Sequence, residues 1–162
     1  MTCNKGKSFI TIDISNQTLK LFSDKLTRDY FISTSKNGVG QENNSGKTPL
    51  GRHYIFKKIG QNMPVNSIFI GREFNFEVYH DALGDIHTDW ILTRILWLAG
   101  SEDGMNAGGN VDTKNRYIYI HGTPYEDQLG KPVSSGCIRM SNQDVIELFN
   151  YTQIRTEVNI VR

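Results

Sequence analysis

A cysteine and a histidine in the last third of the chain have the residue types and the surroundings of a nucleophile and its base. His121 ends an aromatic and β-branched run that begins at Tyr117 and predicts a strand, so we expect it to lie beside a loop. Cys137 follows a glycine and comes shortly before Ser141, a predicted helix cap. A thiol attacks as its thiolate, and a neighbouring imidazole can take the proton and later return it to a leaving amine. The pair therefore predicts nucleophilic catalysis.

The surroundings of Cys137 offer further groups that such a reaction needs. Gly136 has no side chain, so a substrate carbonyl could approach closely, and the N–H groups of Gly136 and Cys137 are candidate donors to a developing oxyanion. The imidazole of His121 needs a group that fixes its tautomer, and the backbone carbonyls near Gly122 are candidates. The ordinary alternative stays open, because an isolated cysteine is usually a small buried side chain and an isolated histidine is usually structural.

Composition restricts the class of protein. The 162 residues include 18 Lys and Arg against 17 Asp and Glu, with no basic run, so the sequence does not favour nucleic-acid binding. No apolar segment reaches the roughly 20 residues of a transmembrane helix, and residues 1–8 are too polar for a signal peptide. Two cysteines, Cys3 and Cys137, are too few for a disulfide scaffold, although a bridge between them stays open.

Metal and nucleotide sites are not predicted. His53, His80 and His87 are scattered along the chain without the spacing of metal ligands. The run from Gly46 to Thr48 is similar to the end of a phosphate-binding loop, but Gln41 stands where that loop has its first glycine.

Hydrophobic periodicity predicts a mainly β chain with one or two α-helices. Residues 9–22 have the pattern of a hairpin, and residues 36–51 and 100–115 have the composition of loops. The spacing of residues 90–98 predicts a helix capped by Asp89, and Ser141 begins a second helix with an apolar face. Other strands are predicted at residues 30–34, 53–58, 67–70, 74–79, 117–121 and 157–161. We expect a single domain over residues 8–162 after a polar tail, residues 1–7.

Several motifs in order resemble the L,D-transpeptidase (YkuD-type) catalytic domain. That family has a strand ending in His-Gly and then Ser/Thr-His-Gly-Cys followed by an apolar residue and Asn or Arg, which is similar to His121-Gly122 and the run from Ser134 to Arg139. Residues 12–19 resemble its first hairpin, Thr48-Pro49-Leu50-Gly51 its Thr-Pro-x-Gly element, and residues 108–121 its approach to the histidine. The resemblance covers residues 8–162.

This resemblance implies a β-sandwich-like fold of mixed sheets with the catalytic groups in a cleft. It implies that a Cys137 thiolate attacks the carbonyl on the L-centre of the third residue of a peptidoglycan stem peptide, expels D-alanine and forms a thioester. An amine from another stem, a lipoprotein or a free D-amino acid would then resolve the thioester. The family uses no metal or organic cofactor and is acylated by carbapenems.

Residue roles follow from the same resemblance. Cys137, His121 and Gly122 are the catalytic candidates. The candidates for oxyanion or substrate binding are Gly136, Ser135, Arg139, Tyr119 and Ser134. Arg139 would bind a stem-peptide carboxylate or else form a structural ion pair, and Tyr119, which shares a strand face with His121, would line the substrate site or else pack internally.

The chain departs from the family pattern at two points. Ser135 stands where the family has a histidine before Gly-Cys, which favours altered acceptor handling or an altered thiol pKa. Neither an export signal nor a wall-binding module is recognisable, so the expected location is open between the periplasm or cell wall and the cytoplasm. Two other functions stay open beside transpeptidation, namely an L,D-carboxypeptidase that hydrolyses the same bond and an inactive peptidoglycan-binding module.

Overall fold

Ten strands and one α-helix form the part of the chain that this computed structural model describes, residues 7–85 and 88–162. The strands are β1 (Phe9–Asp13), β2 (Thr18–Phe22), β3 (Thr27–Phe31), β4 (Gly51–Ile59), β5 (Ser67–Ile70), β6 (Glu73–Val78), β7 (Leu92–Gly100), β8 (Tyr119–Gly122), β9 (Ile138–Met140) and β10 (Glu157–Val161), and the helix α1 is Asn142–Tyr151. Short 3₁₀ turns lie at Asp81–Leu83, Gly109–Val111 and Glu126–Gln128. Most of the predicted tail, with Cys3, and also His87 fall outside the described residues.

The strands join into one mixed sheet that branches at β7. Its main path runs β3-β2-β1-β10-β4-β7-β5-β6, while β8 pairs with β7 and β9 pairs with β8. The β1–β10 and β8–β9 pairs are parallel, and the other pairs are antiparallel. The prediction of a mainly β fold with one or two α-helices is confirmed, with one helix formed in the described residues.

The first hairpin forms where the alternating pattern predicts it. Ile10 and Ile12 of β1 and Leu19 and Leu21 of β2 are fully buried on one face, and their neighbours are more exposed. The backbone N–H of Asn16 donates to Asp13 Oδ1 at 3.0 Å and closes the turn. The hairpin buries its apolar face against the main core, as the period of two requires.

The predicted helix at residues 90–98 is wrong, because Leu92–Gly100 is the central strand β7. This strand is bonded to β4, β5 and β8 and is buried along most of its length. A strand covered on both faces needs apolar residues at consecutive positions, so its sequence loses the alternation that marks a half-exposed strand. Thr93 adopts a φ of 72° where the pairing with β8 shifts, which further disturbs the period.

Two other predicted strands are displaced by a few residues. The third strand is Thr27–Phe31 rather than 30–34, because Ile32 donates to Gln17 O and the chain then leaves β2 to bond Arg139. The strand that carries His121 begins at Tyr119, because the φ of 57° at Tyr117 turns the chain away from the extended conformation. The predicted strands at residues 67–70 and 157–161 are confirmed at both ends.

The helix α1 begins as its sequence predicts and covers the strands that carry the candidate site. Ser141 accepts a hydrogen bond from the Asp144 N–H at 3.1 Å and caps the helix. Val145, Leu148 and Phe149 enter the main core. The strand β9 lies between Cys137 and this helix, so the cysteine does not sit directly at the helix start as the sequence suggests.

The two faces of β8 serve different purposes. Ile120 is buried in the main core with Ile118 just before it, whereas Tyr119 belongs to a second cluster with Phe69 and Ile95 on the other face. Since side chains alternate along a strand, His121 lies on the same face as Tyr119. Folding therefore presents the histidine on the side away from the main core.

Gly122 is required for β8 to approach β7 and α1. A Cβ atom built on Gly122 would lie 2.7 Å from Leu92 O and 3.2 Å from Thr93 Cβ, and closer still to Asn142 Oδ1. These neighbours cannot move independently, because Thr93 Oγ1 donates to Asn142 Oδ1 at 2.6 Å while Asn142 Nδ2 donates to Thr123 O at 2.8 Å. The glycine after the histidine is therefore needed for packing.

We expect Gly122→Ala to destabilise the protein by about 2–3 kcal/mol, because the new methyl group overlaps a tightly bonded backbone. For a chain of this size that loss corresponds to a decrease of about 5–10 °C in the midpoint of thermal unfolding. Gly38→Ala is the control, since nothing lies within 4 Å of its added Cβ and only the φ of 80° is unfavourable. Equal midpoints for the two variants would contradict the packing role.

Candidate active site

The parallel pair of β8 and β9 brings the two ends of the predicted motif together. His121 lies opposite Arg139 and Ile120 lies opposite Ile138, so Cys137 enters β9 beside Tyr119. On the other side, the segment from Ser134 to Arg139 is bonded to residues 33–36 through Ser33 and Thr34. The segment that carries the cysteine is therefore held from both sides by backbone hydrogen bonds.

The thiol of Cys137 is half-buried and is hydrogen-bonded to the backbone at the start of β8. Its Sγ donates to Tyr117 O and accepts from the Tyr119 N–H, each at 3.4 Å, and its side chain packs on the Phe69 cluster. Burial raises the pKa of the thiol to about 12, while the Tyr119 N–H lowers it and the negative charge of Asp89 raises it further. Burial dominates, so a neutral thiol is the resting form at neutral pH.

His121 is fully buried, with one nitrogen occupied and the other free. Nδ1 lies 2.7 Å from the Gly122 carbonyl oxygen, which can only accept, so Nδ1 carries the proton. Nε2 is buried without a hydrogen-bond partner in the described part of the chain. Burial lowers the pKa of the imidazole, although Asp89 and the Gly122 carbonyl oppose that shift. The ring is therefore neutral, with an unused lone pair at Nε2.

The loop before Cys137 uses some of the groups that the sequence assigned to the oxyanion. The Gly136 N–H donates to Ser134 Oγ at 3.2 Å, and Ser134 Oγ donates to Cys137 O at 2.6 Å. Gly136 has a φ of 134°, which a side chain rarely adopts. Ser134 is thus buried inside the loop, whereas Ser135 is exposed. In this state the Gly136 N–H is occupied by the loop.

Two residues to which the sequence assigned no role hold the loops at this site: Thr48 is bonded to the loop before Cys137, and Arg116 is bonded to the loop at residues 36–51. Thr48 Oγ1 donates to Gly136 O at 2.9 Å and accepts from the Ser35 N–H. Arg116 donates to the backbone oxygens of Gly40, Gln41 and Lys47 and to Ser45 Oγ. The positive charge of Arg116 also lowers the pKa of Cys137. Thr48 lies in the Thr-Pro-x-Gly element and Arg116 lies in residues 108–121, and this position in segments that resemble the family is the sequence signal that could have identified them.

Arg139 forms an internal ion pair with Asp89, so its guanidinium is not free to bind a substrate carboxylate with two hydrogen bonds. Its Nη2 donates to Asp89 Oδ1 at 2.7 Å, its side chain is 8% exposed, and its Nε is buried without a partner among the described residues. Asp89 therefore does not cap a helix, as the sequence predicted, but supports the site from the segment before β7. Of the two roles that the sequence leaves open for Arg139, this geometry agrees with the structural ion pair rather than with a guanidinium free to bind a stem-peptide carboxylate.

Tyr119 is mainly a packing residue whose hydroxyl reaches the surface. Its ring is buried beside Trp97 in an edge-to-face arrangement, with ring centroids 5.8 Å apart. Its hydroxyl accepts from Arg72 Nη1 at 3.2 Å. The backbone of Tyr119 bonds the sulfur while its side chain reaches a surface arginine.

The described residues contain no group of three or more His, Cys, Asp or Glu that could hold a metal ion. His53 is buried between Gly51 O and Thr113 Oγ1, and burial lowers its pKa to about 4. His80 is exposed, and His87 lies outside the described residues. No helix in residues 7–85 or 88–162 is long and apolar enough to span a bilayer.

Comparison with known proteins assigns the fold and motifs to one family. Residues 7–160 match the family model described as the L,D-transpeptidase catalytic domain, YkuD. This chain belongs to the L,D-transpeptidase catalytic domain family. YqjB of Bacillus subtilis, a protein assigned as an L,D-transpeptidase, is 46% identical over 57 residues, which cover 35% of this chain and 31% of that protein.

Solved structures of L,D-transpeptidases share the fold of this chain. L,D-transpeptidase 3 of Mycobacterium tuberculosis, in complex with a faropenem-derived adduct, superposes with a TM-score of 0.60 at 15% identity. The L,D-transpeptidase LdtMt1 in complex with imipenem superposes with a TM-score of 0.57 at 16% identity. The superpositions cover 97% and 96% of this chain but only 61% and 59% of those longer proteins.

The raised thiol pKa predicts the ionisation behaviour of this L,D-transpeptidase domain. In a Cys3→Ser background, the thiolate absorbance near 240 nm should be absent at neutral pH and increase only above about pH 10, because burial favours the neutral thiol. Cys137→Ser in the same background is the blank. A midpoint below 9 would show that the charges of Arg116 and Arg139 outweigh burial.

Arg116→Met should loosen the loop at residues 36–51 without unfolding the sheet. The loss of four side-chain hydrogen bonds should accelerate amide exchange at Gly40 and Thr48 by roughly 10- to 100-fold, since each bond to a charged donor contributes about 1.5–3 kcal/mol. Exchange mass spectrometry measures this. Arg28→Met, which removes an exposed ion pair with Glu147, should leave the loop unchanged.

Proposed function

We propose that this domain is a cysteine-dependent L,D-transpeptidase that acts on peptidoglycan stem peptides through a thioester. The observation that carries the proposal is that the paired strands β8 and β9 bring Cys137 and His121 to one site, where His121 Nε2 is buried and has no partner among the described residues. A buried nitrogen without a partner is costly and therefore indicates a use that the resting structure does not satisfy. The family membership of the chain supports the same chemistry.

The first step transfers one proton and forms one bond. As the peptide carbonyl of the third stem residue reaches Cys137, the S–H proton passes to His121 Nε2 and the sulfur attacks the carbonyl carbon. The tetrahedral intermediate then expels the amine of the terminal D-alanine, which takes the proton back from Nε2. The products are a thioester on Cys137 and free D-alanine, so atoms and charge balance.

The fixed tautomer of His121 suits it to both halves of this step. Because Gly122 O holds the proton on Nδ1, Nε2 is the nitrogen that accepts from the thiol and later donates to the leaving amine. The neutral resting pair means that charge develops only as the bond forms. The positive charge of Arg116, which lowers the pKa of Cys137, would stabilise the negative charge that develops during attack.

The oxyanion requires donors that the substrate meets on arrival. With the Gly136 N–H occupied by Ser134, the Cys137 N–H is the donor that we assign to this role. Ser134 and Gly136 then act by shaping the loop, whereas Ser135 is exposed to solvent.

The second step resolves the thioester with an amine acceptor and gives a cross-link, a lipoprotein anchor or an exchanged D-amino acid. Water in place of the amine would make the domain an L,D-carboxypeptidase. We also propose that carbapenems acylate Cys137, which is supported by the complexes of related L,D-transpeptidases with imipenem and a faropenem-derived adduct.

Product mass spectrometry with a disaccharide-tetrapeptide tests the reaction. Wild-type protein should release D-alanine and, with an added D-amino acid, give the exchanged tetrapeptide, whereas Cys137→Ala should give neither while its unfolding midpoint is retained. Tripeptide alone would assign the carboxypeptidase reaction. Activity in Cys137→Ala would rule out the mechanism, and inactivity of the wild type together with binding to wall fragments would favour a binding module.

His121→Ala should slow acylation of Cys137 by a carbapenem by roughly 10²- to 10⁴-fold, the usual contribution of a general base. Intact-mass spectrometry over time measures the rate of adduct formation. His80→Ala is the matched control, because His80 is exposed and should leave the rate unchanged. Equal rates for the two histidine variants would exclude His121 as the base.

A further inference from the structure

Arg72 occupies a strained position beside the candidate site. β5 and β6 are joined by the two-residue turn Gly71–Arg72, since Ile70 pairs with Glu73. The φ angles of the two turn residues are 56° and 68°. Two-residue turns with both φ values positive favour Asn and Gly, which tolerate the left-handed region. An arginine held there indicates that its side chain is needed beyond the turn.

The guanidinium of Arg72 is oriented by aromatic rings next to the nucleophile. It lies over the ring of Tyr117, 4.7 Å from its centroid, and over that of Trp97 at 5.2 Å, while Nη1 donates to the Tyr119 hydroxyl. Tyr117 and Tyr119 are the same residues whose backbone groups bond the sulfur of Cys137. One tyrosine side chain therefore separates Arg72 from the sulfur.

Arg72 has hydrogen-bonding capacity that the protein does not use. A guanidinium has five N–H donors, and the described residues satisfy one of them at Tyr119. No ion pair within residues 7–85 and 88–162 includes Arg72, although the charge of Glu73 acts on it through space. A stacked arginine with free parallel donors has the geometry that binds a carboxylate with two hydrogen bonds.

The adjacent surface is concave and carries an excess of positive charge. Arg72 lines a groove of about 500 Å³ together with Lys57, Lys58, Glu73 and Trp97. The ammonium of Lys58 already donates to Phe149 O and Thr152 O, so Arg72 and Lys57 are the cations that we assign to an acidic ligand, and the indole of Trp97 provides an apolar wall.

We propose that Arg72 is a specificity-determining residue that binds a carboxylate of the peptide substrate while the scissile carbonyl lies at Cys137. This inference rests on the proposed function, because it assigns the groove to the same reaction. The carboxylate belongs either to the acyl donor or to the peptide that supplies the amine. Stacking on Tyr117 and Trp97 orients the guanidinium in advance, so less conformational entropy is lost on binding.

Arg72→Asn is the test variant, because asparagine suits the turn and separates binding from folding. Its unfolding midpoint should stay close to that of the wild type. The donors are tetrapeptides whose third residue has either a free or an amidated side-chain carboxylate. The wild type should react with the free-carboxylate donor at the higher kcat/KM if the donor supplies the carboxylate. If the donor supplies the carboxylate, the variant should lose roughly 10- to 100-fold in kcat/KM for the donor with the free carboxylate, the usual effect of one charged contact, and little for the amidated donor.

Two rates, that of thioester formation and that of transfer to the acceptor, identify which peptide supplies the carboxylate. If the donor carries it, the loss appears in the rate of thioester formation, followed by intact mass. If the acceptor carries it, thioester formation is unchanged and the loss appears in transfer to an acidic acceptor peptide but not to its amide. Arg155→Ala is the control, since Arg155 also stacks on a tyrosine, Tyr54, without an ion pair in the described chain.

Binding measured without turnover separates this inference from the proposed function. Calorimetric titration of the Cys137→Ala protein with the same acidic and amidated peptides should show preference for the acidic peptide, and the Cys137→Ala, Arg72→Asn double variant should lose that preference. This result would stand even if the wild type proved inactive. Equal discrimination by the wild type and Arg72→Asn in both kinetic arms and in calorimetry would overturn the proposal.

Discussion

The parallel pairing of β8 with β9 is the constraint on which the candidate site depends. These strands have four and three residues, and they connect a histidine and a cysteine that are 16 positions apart in sequence. Such short strands are not stable alone, so they are supported by β7, by α1 and by the segment that contains Ser33. The close approach at Gly122 is a result of this dense support, because no side chain fits between the layers there.

Burial is the main cause of the pKa shifts at Cys137 and His121. Removal from water raises the pKa of the Cys137 thiol and lowers that of the His121 imidazole, so both groups are neutral at rest. In the proposed mechanism such a neutral pair, unlike a preformed thiolate–imidazolium pair, transfers its proton only when the substrate arrives. The charges of Asp89, Arg116 and Arg139 also shift the pKa of the Cys137 thiol, and all three side chains are held by hydrogen bonds, Asp89 and Arg139 by one another and Arg116 by the loop at residues 36–51.

The hydrophobic pattern predicts an element correctly where one of its faces is exposed to solvent and where a local cap or turn marks its end. The first hairpin and α1 were predicted on these grounds, and Ser141 caps the helix as expected. It failed at β7, because a strand buried on both faces has no alternation to read and its Thr93 bulge breaks the period. Asp89 was consequently assigned to a helix cap, whereas it forms an ion pair with an arginine 50 positions later in the chain.

The sequence alone determined the family, the mainly β class and the two residues proposed for the chemistry, because these depend on residue types at short and ordered spacings. The tertiary structure alone decided which nitrogen of His121 is free, that burial raises the pKa of the Cys137 thiol, and that Thr48 and Arg116 hold the two loops at the site. It also placed Arg72, from a turn 65 positions away from Cys137, on the side chains of the two tyrosines whose backbone groups bond the sulfur. These properties depend on burial and on contacts between distant segments, and they arise only when the sheet is assembled.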